Sequence, residues 1–444
     1  MPRLRPTSLH VAALRIRLLR TRLLRTRVLR TRVLRSHVLL ALSTVTALSL
    51  AACQRLRPSR GSAAPAAADD ALRPLPAARD GARLPDRLDD STYWRMVREL
   101  SEPGGYFQSE NFVSNEMGLQ HVIARLEQLA PPGGVYIGVG PEQNFTYLGT
   151  IQPRIAFIVD IRRQNLLQQL WYKALFELSP TRAVFLSRLF ARPALATALA
   201  TAPVTLSADS LMARLAQLPP DEAAFHRVFA EAKAQLVQRH GFTLDSSDLA
   251  TLRYVDSIFV HAGPSLNYSS GSSQRGGGRG GFGRMPSFAQ IATTTNEAGV
   301  NRGFLGSEAT YGTVRDLERR NLVIPVVGDF AGPKALRAVG AWLRARDARV
   351  DVFYTSNVEQ YLFQSTDNWS RFYANVGAMP LAPNSAFIRS STNRGGFGRG
   401  FGGGSSGPAG FLMTQLTSSI TEVVSGAQTG RVRSYGDVLG LSKP

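Results

Sequence analysis

The chain has 444 residues, enough for two or three average domains or one elaborated domain with tails, and 44% of them are hydrophobic, enough for a sizeable core. The formal net charge of +20 suggests a nucleic-acid binder, but eleven arginines fall in residues 1–52, which hold no acid, and no other part carries a long Lys/Arg run. The single cysteine, Cys53, excludes a disulfide framework within a monomer, and the six scattered histidines show no metal-ligand spacing, so no metal is expected.

Residues 16–35 repeat Arg-Thr-Arg-(Leu/Val)-Leu with a period of five. Five residues advance a helix face by about 140°, so the arginines spread around the whole circumference. On a strand an odd period flips the face at each repeat. The repeat suits neither regular structure and reads as a basic, disordered leader. The apolar run Val38–Leu50 follows, short for a membrane span but suited to a signal-peptide core. It ends in Leu50-Ala51-Ala52-Cys53, which resembles the bacterial lipobox. That resemblance implies lipidation of Cys53, a membrane partner and a place in the cell envelope. A start codon further along the chain is the alternative, and would leave the protein cytoplasmic. Residues 53–90, rich in Ala, Pro, Arg and Asp, are expected to form a disordered tether.

The folded part is expected over residues 91–444. Tyr93–Leu100 has helical spacing of apolar residues, and Ser101-Glu102-Pro103-Gly104-Gly105 breaks it. A loop dense in aromatics and amides runs from Tyr106 to Glu116. Ser114 or Asn115 is expected to cap a helix over Met117–Leu129, in which His121 is an ordinary helix residue. Val135–Gly138 reads as a buried strand, Gly138-Val139-Gly140-Pro141 as a glycine turn, and Ile155–Asp160 as a second buried strand ending in an acid. An apolar helix follows through Leu178. An Ala/Leu-rich helical insertion is expected over 180–250, with a helix start at Pro220-Asp221-Glu222.

Leu322–Phe330 is a further strand ending in Gly328-Asp329, and Pro333 starts the helix after it. Arg349–Ser356 is another strand, and Asn357 opens the next helix. Strands alternating with helices of ten or more residues predict an α/β domain with a mostly parallel, doubly wound sheet. In such sheets ligands sit beyond the carboxyl ends of the strands. Gly138, Gly140, Asp160, Asp329, Ser356, Asn357 and Glu359 are all placed at such ends.

Two Gly-rich stretches, 269–284 and 393–410, interrupt the pattern and resemble Arg-Gly-Gly segments of RNA-binding proteins. They involve only five arginines, and the plainer reading is a pair of flexible surface loops, so nucleic acid is not the expected partner. No Ser/His/Asp order or paired-carboxylate spacing stands out for hydrolysis.

The order of glycine turn, acid-ended strand and later Gly-Asp strand end resembles the class I S-adenosylmethionine-dependent methyltransferase fold, a Rossmann-like architecture. The third glycine of the dinucleotide fingerprint is missing, because Gln143 or Asn144 stands in its place, and this favours a ligand without phosphate. The resemblance implies that S-adenosylmethionine, if bound, meets Gly138, Gly140, Gln143 and Asp160, with Asp160 on the ribose and Asp329 near the adenine or substrate. Tyr136 is a departure, since the family usually has an acid two residues before the first glycine. Glu102, Asn111, Asn115, Glu116, Asn357 and Glu359 are the expected substrate-side residues. The segments Leu100–Phe107, Asn111–Glu116, Asp160–Asn165, Val327–Lys334 and Ser356–Tyr361 also look like a family of uncharacterised bacterial proteins. Three local alternatives stand beside these assignments. Asp160 has Arg162 and Arg163 close behind it and suits an ion-paired helix start. Asp329 suits a helix cap, and Glu116 suits a helix-start acid favoured by the dipole. The functions expected are methyl transfer to an unknown acceptor or, alternatively, non-catalytic ligand binding or a structural role in the envelope.

Overall fold

A computed structural model describes residues 72–199, 206–268, 270, 285–392 and 413–444. The leader, Cys53 and nearly all of the two Gly-rich stretches lie outside these described residues. The β-branched and aromatic runs form β1 (Val135–Gly138), β2 (Ile155–Asp160), β3 (Val323–Val327), β4 (Val350–Ser356), β5 (Leu381–Thr392) and β6 (Met413–Ser419). They make one six-stranded sheet in the order β3-β2-β1-β4-β5-β6. All pairs are parallel except β5 with β6. Every residue of β1, β2 and β3 is buried, as expected where helices cover both faces of a parallel sheet. Pro325 lies inside β3 and is tolerated because β3 is an edge strand, where one side of the backbone has no ladder partner.

The helices that matter here are α1 (Asp90–Leu100), α2 (Gln143–Ile151), α3 (Arg163–Leu178), α4 (Ser246–Ala262), α5 (Glu308–Arg319), α6 (Ala335–Arg344), α7 (Val358–Leu362), α8 (Asn368–Gly377) and α9 (Ile420–Gln428). α2, α3 and α5 pack together as one layer. α1, α6, α8 and α9 make the other. The chain steps outward from β1 to β2 and β3, then crosses back to β4 on the other side of β1. That reversal opens a crevice at the carboxyl edge, between β1 and β4.

Three local expectations change. The tether was expected to reach residue 90, but residues 72–89 form a strap against the body. Leu84 and Leu88 are buried, the Leu88 N–H donates to the Arg320 carbonyl (2.9 Å), and Arg79 pairs with Asp351 at the amino end of β4. The helix expected over 117–129 is regular only at Ile123–Leu129. Before it the chain turns through short bonds such as His121 N–H to the Gly118 carbonyl (3.0 Å), because the buried Gln120 side chain is committed to Thr294 and the Arg302 N–H. The helical insertion continues past residue 250 into α4, and α5 adds a further helix before β3.

A buried ion pair clamps the β4–β5–β6 side. Glu359 of α7 and Arg389 of β5 are 1% and 0% exposed. Arg389 donates through Nε and Nη2 to the two carboxylate oxygens, and Tyr373 (2.6 Å) and Thr355 (3.2 Å) donate to the same carboxylate. Removing one partner strands the other charge in the core, so Glu359→Ala is expected to destabilise the fold by about 3–5 kcal/mol. Chemical denaturation measures this, and a loss below about 1 kcal/mol would contradict the clamp.

Candidate functional site

The carboxyl ends of β1, β2, β3 and β4, together with the loop 106–116, line a cleft of about 270 Å³. Gly140, Gln143, Asp160, Asp329, Asn111, Asn115, Glu116 and Asn357 all line it. With Ser356, which also lines it, the fold brings together nine of the residues singled out from sequence. Gly138, Glu102 and Glu359 are outside that lining.

Each of the three exceptions has a structural occupation. A Cβ on Gly138 would lie 2.0 Å from Asn144 Oδ1. Gly138 thus makes room for Asn144, whose amide donates to the carbonyls of Val139, Gly140 and Pro141 and accepts from the Tyr136 hydroxyl (2.9 Å). The same contacts explain why asparagine stands where a third glycine was sought: its side chain satisfies turn carbonyls from within. Tyr136, at the departed acid position, is buried and serves that network. Glu102 accepts from the backbone N–H groups of Asp329 (2.7 Å) and Lys334 (3.1 Å), so it caps the start of α6. Glu359 is the buried partner of Arg389 described above.

Asp160 lines the cleft with its oxygens already engaged. Oδ1 accepts from the Arg162 backbone N–H (2.9 Å) and Nε (2.9 Å), and Oδ2 accepts from Nη2 (2.8 Å). The ion-paired reading of this acid is therefore the one the geometry displays. Arg162 also donates through Nη1 to the carbonyls of Ser109 and Glu110, which fastens the loop to the end of β2. Its guanidinium carbon sits 5.7 Å from the centre of the Phe107 ring, and Phe107 meets Tyr361 edge-on at 5.2 Å. Tyr106 is 86% exposed at the mouth.

Asp329 is half-buried, and Oδ1 accepts from the Ala331 N–H (2.9 Å). This is a turn bond, and Glu102 does the capping of α6. Gln143 is buried. Its Nε2 donates to the Tyr354 hydroxyl (3.1 Å), and its Oε1 has no partner among the described residues. Asn111 has φ +47° and an equally unpartnered Oδ1.

Glu116 is fully buried at the edge of the cleft. Tyr354 (2.7 Å), Ser356 and Gln415 (2.6 Å) all donate to its carboxylate. Burial pushes the Glu116 carboxyl above the usual carboxylate range, against the lowering effect of those bonds. Ser356 has φ +51°, a left-handed conformation at the tip of β4 that costs a non-glycine residue about 1–3 kcal/mol. Sequence reading placed Ser356 at a strand end and did not connect it with Glu116. It did not mark Tyr354 and Tyr361, although both lie in segments it read, and it missed Gln415 and Tyr268, which come from distant segments with no local motif.

Among the described lining residues Arg162 is the one Lys or Arg side chain, and it is committed to Asp160 and the loop. Glu116, Asp160 and Asp329 are the acids. No group of three or more His, Cys, Asp or Glu able to hold a metal occurs among the described residues.

The model of a family described as a domain of unknown function (DUF7790) matches residues 111–254 and 285–404. This is more than half of the chain, and the protein belongs to that family. The matched segments carry β1 to β5 and the loop at Asn111–Glu116. No curated protein matches the sequence.

Beside the cleft, Glu142 is buried with Oε1 accepting from the Ser114 N–H (3.0 Å) and Oε2 without a partner among the described residues. Burial raises its pKa to about 7. A carboxyl raised in the folded state holds its proton longer than in the unfolded chain. Its contribution to stability is therefore full below pH 4.5 and is lost as pH rises toward about 7. Glu142→Gln is expected to flatten the fall in stability between those values, a fall of about 3 kcal/mol from this one group. Denaturant midpoints at a series of pH values decide it, and parallel profiles for the two proteins would contradict it.

Proposed function

We propose that the cleft binds S-adenosylmethionine or a closely similar phosphate-free adenosine derivative, and that the chain passes a methyl group to an acceptor entering beside the loop 102–116. The observation that carries this reading is the cleft's position, at the strand-order reversal, combined with its inventory of three carboxylates and no uncommitted Lys or Arg among the described lining residues. Such a lining repels phosphate and suits a neutral or cationic ligand rich in N–H and O–H donors. The amide oxygens of Gln143 and Asn111, which have no partner among the described residues, fit the same ligand, because a buried acceptor without a donor is costly. The sheet order also supports a Rossmann-like, methyltransferase-like domain. S-adenosylmethionine supplies an electrophilic methyl group on a sulfonium, and the chain's own part is alignment of the acceptor with it.

The Asp160–Arg162 pair shifts the ribose role. Asp160 retains little acceptor capacity, so Asp329 carries more of the binding. The same pair favours a second reading, a binding protein of the envelope that keeps the fold without the chemistry. Export through Cys53 would separate the protein from cytosolic S-adenosylmethionine and points the same way. A Cys53→Ser chain that stays with the membrane fraction would remove that anchor from the account.

Calorimetric titration of the full chain is expected to show heat with S-adenosylmethionine and none with ATP. Asp329→Asn is expected to weaken the binding about tenfold, the effect of losing a hydrogen bond to a charged group. Heat-free mixing up to millimolar S-adenosylmethionine would end the reading.

A further inference from the structure

We infer that Ser356 is an acyl-accepting nucleophile and Glu116 its general base, giving the cleft an esterase-type chemistry that is independent of S-adenosylmethionine. Ser356 is the last residue of β4, it lines the cleft, and its left-handed backbone turns the chain from strand into α7. A strained serine on a strand-to-helix turn is the geometry that presents a hydroxyl to a substrate. Its Oγ donates to Glu116, 240 positions away in the sequence. Glu116 is fixed in turn by Tyr354 and by Gln415, which also donates to Ser390 (2.6 Å), so the base cannot swing away. A nucleophile held by a base, with the base held by further groups, is the arrangement that activates a hydroxyl. The buried carboxyl is a stronger base than an exposed one. Asn115 and Asn357 flank Glu116 and Ser356 in sequence and line the same cleft. Their side-chain amides make no hydrogen bond among the described residues and supply N–H donors for an oxyanion.

The substrate class is a neutral or cationic carboxylic ester, since three carboxylates line the cleft. Ser356 Oγ forms a bond to the carbonyl carbon as its proton passes to Glu116. The carbonyl oxygen takes the negative charge beside Asn115 and Asn357. The C–O bond to the leaving alcohol then breaks, and Glu116 returns the proton to that alcohol. Water, deprotonated by Glu116, cleaves the Ser356 ester, releasing the acid and restoring the hydroxyl.

The test is treatment of the full chain with a neutral alkyl fluorophosphonate, followed by peptide mass mapping. The adduct is expected on Ser356. Ser356→Gly keeps the fold, because glycine is at ease at φ +51°, and is expected to lose the adduct entirely. Glu116→Gln is expected to slow labelling roughly 100-fold. Absence of an adduct, its appearance elsewhere, or labelling that survives Ser356→Gly overturns the nucleophile. An unchanged rate in folded Glu116→Gln overturns the base. Neither result depends on whether S-adenosylmethionine binds.

Discussion

The fork between Asp160 and Arg162 is the constraint on which the site depends. Both side chains are nearly fully buried, and two charges removed from water are costly unless each is satisfied by good hydrogen bonds. Here three N–H groups of Arg162 meet the carboxylate, and the remaining donor reaches two loop carbonyls. The pair contributes little net stability in such arrangements. Its effect is geometric, because it ties the loop 106–116 to the tip of β2 and so makes one wall of the cleft. Phe107, Asn111, Asn115 and Glu116 all reach the cleft from that loop.

A second buried network runs from Glu116 of the same loop. Glu116, Tyr354, Ser356, Gln415 and Gln143 connect the loop with α2, β4 and β6. The two networks differ in what they leave over. The first consumes nearly all of its donors and acceptors. The second leaves Gln143 Oε1 without a donor among the described residues, and Ser356 open to the cleft. Unfilled hydrogen-bonding capacity in a buried polar network is costly, and under the proposed reading it is what a ligand would fill.

Much of the framework was legible in the sequence. Apolar runs bounded by Gly, Pro or an acid marked β1, β2 and β3, and the β-branched and aromatic residues around Asp351 marked β4. Gly140, Asp160, Asp329 and Asn357, picked out by strand-end position, all line the cleft. β5 and β6 were not read, because Asn384, Ser385, Arg389 and Ser390 in one and Gln415 and Ser418 in the other break the apolar pattern. Arg389 is buried only because Glu359 awaits it, and no local spacing announces that. Glu102 and Glu359 had the same local credentials as the cleft acids. Their partners, a helix start and an arginine, are what separate them. Asp160 illustrates the same limit: the arginine two residues on was visible in sequence, but its fork geometry was not. The strap at 72–89 read as a tether because its Ala, Pro and Arg content outweighed Leu84 and Leu88.

On the proposed reading this cleft takes a phosphate-free adenosine-type ligand against the strand ends. Amide hydrogen exchange on the full chain, with and without millimolar S-adenosylmethionine, tests it most directly. Protection is expected to be confined to cleft-lining segments, chiefly 106–116, 139–143, 160–162, 328–330 and 356–358. Identical exchange in those segments with and without the ligand would contradict it.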